Sequence, residues 1–433
     1  MLSRGLPVRL QGLRPLLCDF GRWGGAEMAT RLVRLASTLV IARRLDAGIV
    51  GEAALALSLF ELIRVLAQVG IGQAIIAAPA DALAATCNTA RRLFTLWAAL
   101  LTALQLAVAG GLALAGGPDW QKSAEMLAVL ALVYPFTPAG QVQIALAQRE
   151  GLAGPVSRCA ATQTITSNLL STALLLAWRS PWALVLPRLL TAPLWLAMAR
   201  RLRPWQALPA AGQAPAAGLL RFGLAVLVAE IWAGLRTQGD NLLIAALLGA
   251  RALGTYYFAF NAGVGIVSSL VSAFGMVVFP ALCAAPRGAP RAAALERVLI
   301  AGLGLFLPLV ALQSLAARWY VPIVFGGHWA YAAPLVGILC LSGAPQLVAA
   351  ITSLWLRAEG RLRQDMAGSA LSCVAALGLL ALAAALAPPA TGLAWAAMGL
   401  VAGQGLAALA YHLPILRRAL PGALPATLQQ VPA

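Results

Sequence analysis

Apolar runs of about 20 residues or more, separated by short clusters of charge, glycine and proline, recur along almost the whole chain. Each is long enough to cross a hydrocarbon core of about 30 Å as an α-helix. Backbone polar groups in lipid must be satisfied within the segment, and no run alternates polar and apolar residues as a barrel strand would. The pattern therefore predicts an all-α polytopic membrane protein. Twelve spans are predicted, at 18–42, 50–78, 92–116, 124–147, 157–178, 181–199, 220–247, 253–282, 297–320, 331–356, 364–386 and 392–415. Turn residues mark the connections, as at Gly116-Gly117-Pro118, Ser180-Pro181 and Pro388-Pro389. The longest connector, 201–218, is rich in alanine and proline and too short for a soluble catalytic domain. It separates an N-terminal six-helix bundle, 1–200, from a C-terminal one, 219–433.

Composition agrees. At 61% hydrophobic and 10% charged residues, the chain falls outside the soluble class, in which about a quarter of residues are charged. The net charge of +17 does not mark a nucleic-acid partner, because the basic residues lie at span ends instead of forming a patch. With the N-terminus in the cytoplasm, 19 of the 31 lysines and arginines fall on inner loops and tails, 6 fall outside, and the rest lie within spans. That bias places both termini in the cytoplasm. The first apolar stretch is interrupted by Arg22, Arg31 and Arg34 and has no suitable cleavage site, so it is expected to remain as the first span. Six scattered cysteines and two distant histidines offer no metal-ligand spacing, and no nucleotide-binding or hydrolase motif is present. No metal and no cofactor is expected.

Charge within the spans changes the picture. Arg22, Arg31, Arg34, Arg64, Arg188 and Arg236 sit in otherwise apolar stretches, where a guanidinium costs several kcal/mol unless it meets water, a partner or an anion. Glu27, Arg31 and Arg34 share a face of the first span, and Glu61 and Arg64 are neighbours in the second. Arg236 and Asp240 are i, i+4 in the seventh, with Glu230 earlier on the same helix. Local ion pairs would explain Arg31, Arg64 and Arg236, while Arg22 could snorkel to the interface. Neither reading covers Arg34 and Arg188, which have no local acid. Arg31, Arg34, Arg64, Arg188 and Arg236 are thus candidates for gripping a diphosphate in a wet cavity, since guanidinium forks bind phosphate oxygens bidentately. Glu27, Glu61, Glu230 and Asp240 are candidates for ion coupling. Gln141, Asn241 and Asn261 are weaker candidates for sugar contacts.

Two features extend this reading. Leu45 and Gly51 recur as Leu248 and Gly254 at one offset, which also places Glu27 over Glu230 and suggests two like halves. The stretch Leu35-Ala36-Ser37-Thr38-Leu39-Val40-Ile41-Ala42-Arg43-Arg44-Leu45, Gly51, and Val69-Gly70-Ile71-Gly72-Gln73-Ala74-Ile75-Ile76 resembles the opening of bacterial polysaccharide flippases. So do Ser180-Pro181-Trp182-Ala183-Leu184-Val185 and Asp240-Asn241-Leu242-Leu243-Ile244 through Leu253-Gly254-Thr255-Tyr256-Tyr257. These are the O-antigen and exopolysaccharide transporters of the multidrug/oligosaccharidyl-lipid/polysaccharide exporter superfamily. The resemblance implies two six-helix bundles in a V around a central cationic cavity in the cell inner membrane. It also implies flipping of a polyprenyl-diphosphate-linked oligosaccharide by alternating access, with no enzymatic step. Arg31, Arg34 and Arg64 match the family's diphosphate-holding positions; Arg188 and Arg236 match none. A polysaccharide polymerase and a chain-length regulator would be partners. A multidrug or cation exporter of the same superfamily, and a membrane glycan polymerase or glycosyltransferase, are the alternatives.

Overall fold

The computed structural model describes residues 30–420 apart from 31, 32, 35, 69, 116 and 389, and among them every regular element is helical. A first helix, α1, is continuous over 36–44 and turns at 45–46 into α2 (Ala47–Val65). There follow α3 (Ile71–Ala77), α4 (Leu83–Ala115), α5 (Pro118–Leu130), α6 (Pro138–Arg149), α7 (Ala153–Ala177), α8 (Trp182–Leu190) and α9 (Ala192–Leu202). Beyond the connector come α10 (Ala216–Ala262), α11 (Val264–Ala284), α12 (Ala289–Tyr320), α13 (Ala333–Cys340), α14 (Gly343–Ala358), α15 (Leu362–Leu386), α16 (Gly392–Ala407) and α17 (Leu413–Ala419). Each expected span from the second onward coincides with one of these helices or with a broken pair. Among the described residues, seven helical stretches are long and apolar enough to cross a bilayer, or eight with one bent pair counted. The protein is a multi-pass membrane protein.

The breaks have identifiable causes, and neighbouring side chains repair them. The fourth span bends by 53° between α5 and α6, where Pro135 and Pro138 cannot donate to the helical ladder. Gln105 of α4 donates Nε2–H to the Leu127 carbonyl at 2.6 Å just before the bend and accepts from the Tyr134 hydroxyl at 2.9 Å. Between α2 and α3, the Trp97 indole takes the Leu66 carbonyl at 2.8 Å. Arg149 closes the far end of α3, donating to the carbonyls of Ile75, Ile76 and Ala78. At Gly263, between α10 and α11, Gln313 and Tyr320 donate to the carbonyls of Gly263 and Ala262. A broken helix within lipid survives only with such partners.

The chain divides into two units, one spanning Leu32–Tyr257 and the other taking the chain from Phe258 onward. Among the described residues the first has three apolar clusters: Phe60, Leu101, Met126 and Val185 join α2, α4, α5 and α8; Ile71, Phe94 and Val142 join α3, α4 and α6; Leu45, Leu175 and Ala183 join the turn after α1 to α7 and α8. The second is built on Val271, Leu295, Phe306, Leu347, Ile351 and Trp355, from α11, α12 and α14. Its α15 and α16 touch backbone to backbone, because a Cβ on Gly399 or Gly403 would overlap the carbonyls of Leu379 and Ala375.

A similar contact inside the first unit has a symmetry of its own. Gly249 (φ 84°) turns α10 back on itself and lays its second half across the start of α2. A Cβ on Gly51 would overlap the Ala250 carbonyl oxygen, and one on Gly254 would overlap that of Ala47. Adding the offset of the sequence repeat to 47 and 51 gives 250 and 254, so the two helix starts cross at equivalent points, each one's glycine against the other's alanine.

Candidate functional site

In α2, Phe60 and Ile63 face the core, which leaves Glu61 and Arg64 together on the adjoining flank of the helix. Arg64 donates Nε–H to the Glu61 carboxylate at 2.7 Å, and its Nη2 lies 2.6 Å from the same oxygen. Arg188, seven positions into α8 with Val185 and Pro187 buried beside it, reaches the other Glu61 oxygen with Nη2 at 3.4 Å. One acid is therefore shared by two arginines. The local charge is +1, and both guanidinium groups remain open, at 47% and 45% exposure against 19% for Glu61. Arg188 was expected to lack a local acid; the acid comes from another helix.

Arg188 falls within the stretch Trp182–Leu202, which is long and apolar enough to cross a bilayer, while Arg64 sits in the last turn of α2. Glu61 is 14 residues beyond the start of α2, about 21 Å of helix, and four residues before its end; Arg34 is eleven residues before Leu45. A half-open guanidinium inside a span, as at Arg188, needs water or an anion, because acyl chains cannot solvate it. Arg34 is exposed on the first helix. Three residues on, Ser37 fastens that helix to α7, bonding Thr172 at 2.9 Å and the Asn168 carbonyl at 3.2 Å.

Arg236 is exposed, and among the described residues no ion pair holds it. It lies close in sequence to Gly234, whose Cα packs against Leu62 and Val65 of α2, so α10 runs beside the Glu61–Arg64 turn. The expected Arg236–Asp240 pair does not form. Asp240 is 7% exposed and accepts from the Tyr256 hydroxyl at 2.7 Å and the Asn241 backbone N–H at 2.8 Å. The turn at Gly249 brings Tyr256 back to it, and a buried carboxylate gains more from that fixed donor than from a guanidinium that would have to surrender its water.

Arg22, Glu27 and Arg31 lie outside the described residues, as does the side chain of Glu230, whose backbone is helical within α10. Among the weaker candidates, Asn241 donates to Gln238 at 3.2 Å. Among the described residues no cluster of histidine, cysteine and carboxylate could hold a metal ion. The structure thus joins Glu61, Arg64 and Arg188 directly, sets Arg236 on the adjoining helix, and assigns Asp240 to a separate buried bond.

A family profile described as "Polysaccharide biosynthesis protein" matches residues 40–334. No curated protein sequence matches the chain. Among solved structures, an inward-facing multidrug resistance MATE family transporter of the MOP superfamily aligns with a TM-score of 0.73 at 15% identity, over 100% of this chain and 98% of its own. The lipid II flippase MurJ in an inward closed conformation aligns at 0.66 with 10% identity, over 94% and 92%. A MOP superfamily transporter from Pyrococcus furiosus, described as having a binding pocket of reverse polarity that suggests a different function, aligns at 0.55 with 15% identity, over 94% and 96%. At these identities the likeness establishes the fold.

Proposed function

This chain belongs to the polysaccharide biosynthesis protein family, and on that footing we propose that it is a flippase for a polyprenyl-diphosphate-linked oligosaccharide, a repeat unit of O-antigen or exopolysaccharide. The observation that carries the reading is the sharing of Glu61 between Arg64 and Arg188, with both guanidinium groups half open. A diphosphate brings several acceptor oxygens to such a site, and two guanidinium groups held by one carboxylate are already oriented to meet them. Glu61 also keeps the empty site from carrying a full +2, which lowers the cost of the unliganded state and eases release. Arg34 and Arg236 would widen the anionic grip, with the lipid tail remaining in the bilayer while the head group crosses by alternating access.

The setting is the inner membrane with cytoplasmic termini. Arg91 near the start of α4, Arg149 at the end of α6, and Arg200 and Arg201 at the end of α9 all fall at one end of their spans, as the positive-inside rule requires. A multidrug or cation exporter would need an acidic site, and this cluster is net basic.

The test is flipping of a fluorescent polyprenyl-diphosphate glycan by purified protein in liposomes, alongside surface polysaccharide in cells. Arg64→Ala and Arg188→Ala should each lower flipping by about tenfold to a hundredfold, from loss of a charge-assisted bond worth about 1.5–3 kcal/mol, at unchanged protein level. Wild-type flipping in the Arg64→Ala/Arg188→Ala double variant would refute the site.

A further inference from the structure

A second basic site lies in the same unit, about 18 Å of helix from Arg188, where the sixth span ends at Leu202. A cavity of about 370 Å³ opens there, lined by Arg91 of α4, Pro138 and Gln143 of α6, Arg200 of α9, and Trp205 and Gln206 of the connector. That volume falls in the roughly 300–1,000 Å³ range of small-molecule sites.

Three observations define its guest. The first is charge: two arginines and no acid line the cavity, and among the described residues neither arginine has an ion pair. Arg91 sits over the Trp205 ring at 6.0 Å, which restrains its guanidinium plane. The second is an unspent polar group. Gln143 is only 5% exposed, and its Oε1 has no hydrogen-bond partner, although a buried amide oxygen normally finds one. The two arginines call for an anion, and Gln143, whose Oε1 is closed to water until its amide turns toward the cavity, calls for a hydroxyl or amine donor beside it. The third is rigidity. Asn88 donates Nδ2–H to the carbonyls of Leu208 and Gly212 and accepts from the Leu208 N–H, while Thr89 donates to the carbonyl of Ala214. The connector is therefore strapped to α4, and its wall of the cavity stands in place before any ligand arrives.

We infer that this cavity binds a phosphate ester carrying a free hydroxyl, the chemistry of a phosphoglycerol headgroup. The cavity sits where spans leave the hydrocarbon, with a tryptophan at the rim, so a membrane lipid can present that group without leaving its leaflet. A soluble glycerol phosphate presents the same atoms. The inference does not depend on the flippase reading, since its residues lie apart from Glu61, Arg64 and Arg188.

Native mass spectrometry of the full chain, loaded with equal phosphatidylglycerol, phosphatidylmethanol and phosphatidylcholine, tests it. Phosphatidylglycerol should be retained over phosphatidylcholine, and R91Q/R200Q should erase that preference, at about fivefold per guanidinium lost. R91K/R200K, which keeps the charge, should retain most of it. Q143M should leave both anionic lipids favoured but remove the preference for phosphatidylglycerol over phosphatidylmethanol, which lacks the hydroxyl. In a second arm, glycerol 3-phosphate is added to detergent-purified protein and melting is followed. Stabilisation of wild type but not of R91Q/R200Q, without lipid preference, assigns the site to a soluble ester. A lipid preference untouched by R91Q/R200Q, or no response to lipid or glycerol 3-phosphate, overturns the inference. A phosphatidylglycerol preference that survives Q143M overturns the hydroxyl assignment.

Discussion

Between Leu32 and Tyr257 the ionic cluster joins the last turns of two helices around one shared acid, whereas from Phe258 onward a buried arginine closes a helix end. Arg188 and Arg64 divide one carboxylate and stay half open. Arg291 is 8% exposed at its side chain and spends its donors on the Ala285 and Ala358 carbonyls and on Glu359, fastening the end of α11 to the end of α14. Arg357 pairs with Asp365 at 2.7 Å across the turn between α14 and α15. A buried guanidinium bonded to two carbonyls and an acid, as Arg291 is, is a fastener. Exposure alone does not mark a binding group, because Arg357 is 54% exposed in its pair, more than Arg64 or Arg188. On the proposed function, what sets Arg64 and Arg188 apart is that two guanidinium groups share a single acid.

The largest effects should come from the glycine contacts that both units share. Gly254→Leu forces a side chain into the Ala47 carbonyl, and Gly403→Leu does the same at Ala375. Neither carbonyl can withdraw without parting two helices, so each variant should lose several kcal/mol or fail to fold, as read by melting and size-exclusion profile. Gly110→Leu, where nothing lies within 4 Å of a built Cβ, should be neutral. Equal tolerance at Gly254 and Gly110 would mean the crossing is not close-packed.

Next comes a dissociation between the two kinds of arginine. Arg291→Ala strands Glu359 and two carbonyls and should cost about 3–5 kcal/mol in stability, while flipping per folded molecule is retained. Arg188→Ala should leave melting nearly unchanged and lower flipping by about tenfold to a hundredfold. The reverse pattern would overturn the assignment of either residue. Tyr256→Phe should follow, with a loss of about 1–3 kcal/mol, because it removes a donor from a buried carboxylate. Asp240→Asn should cost less, since an amide oxygen still accepts from Tyr256 and no charge stays buried.

Span positions were legible in the sequence because lipid imposes a length and a composition that no tertiary contact can override. Interhelical partners were not. Arg188 finds Glu61 on another helix, and nothing local in its span announces it. Arg236 and Asp240 have the spacing of a helical ion pair, yet the turn at Gly249 delivers Tyr256, 16 residues on, and the buried acid takes that neutral donor. Glycine at 249 was the available signal for such a reversal. The connector read as a passive linker from its alanine and proline content; Asn88, an amide near a helix start, holds it in place. The match of Gly51 to Gly254 was weak as sequence, but the helix crossing repeats the same offset in space.

The smallest effect is expected where an ion pair is most conspicuous. Arg203 meets Glu150 at 2.7 Å, linking the end of α9 to the end of α6, in better geometry than Arg188 has with Glu61. Both partners are 42% exposed at a span end, so water and salt screen the pair, and holding two long side chains in one pose offsets much of its attraction. Glu150→Gln should therefore shift stability by no more than about 0.5 kcal/mol and leave flipping untouched. Glu61→Gln, where the acid is 19% exposed and shared by two arginines, should act differently: both guanidinium groups lose their counter-charge, and affinity for a diphosphate head group should rise while turnover falls. The two variants measured side by side separate sharing from distance. If Glu150→Gln alters flipping as strongly as Glu61→Gln, the sharing of one acid is not what makes an arginine functional in this fold.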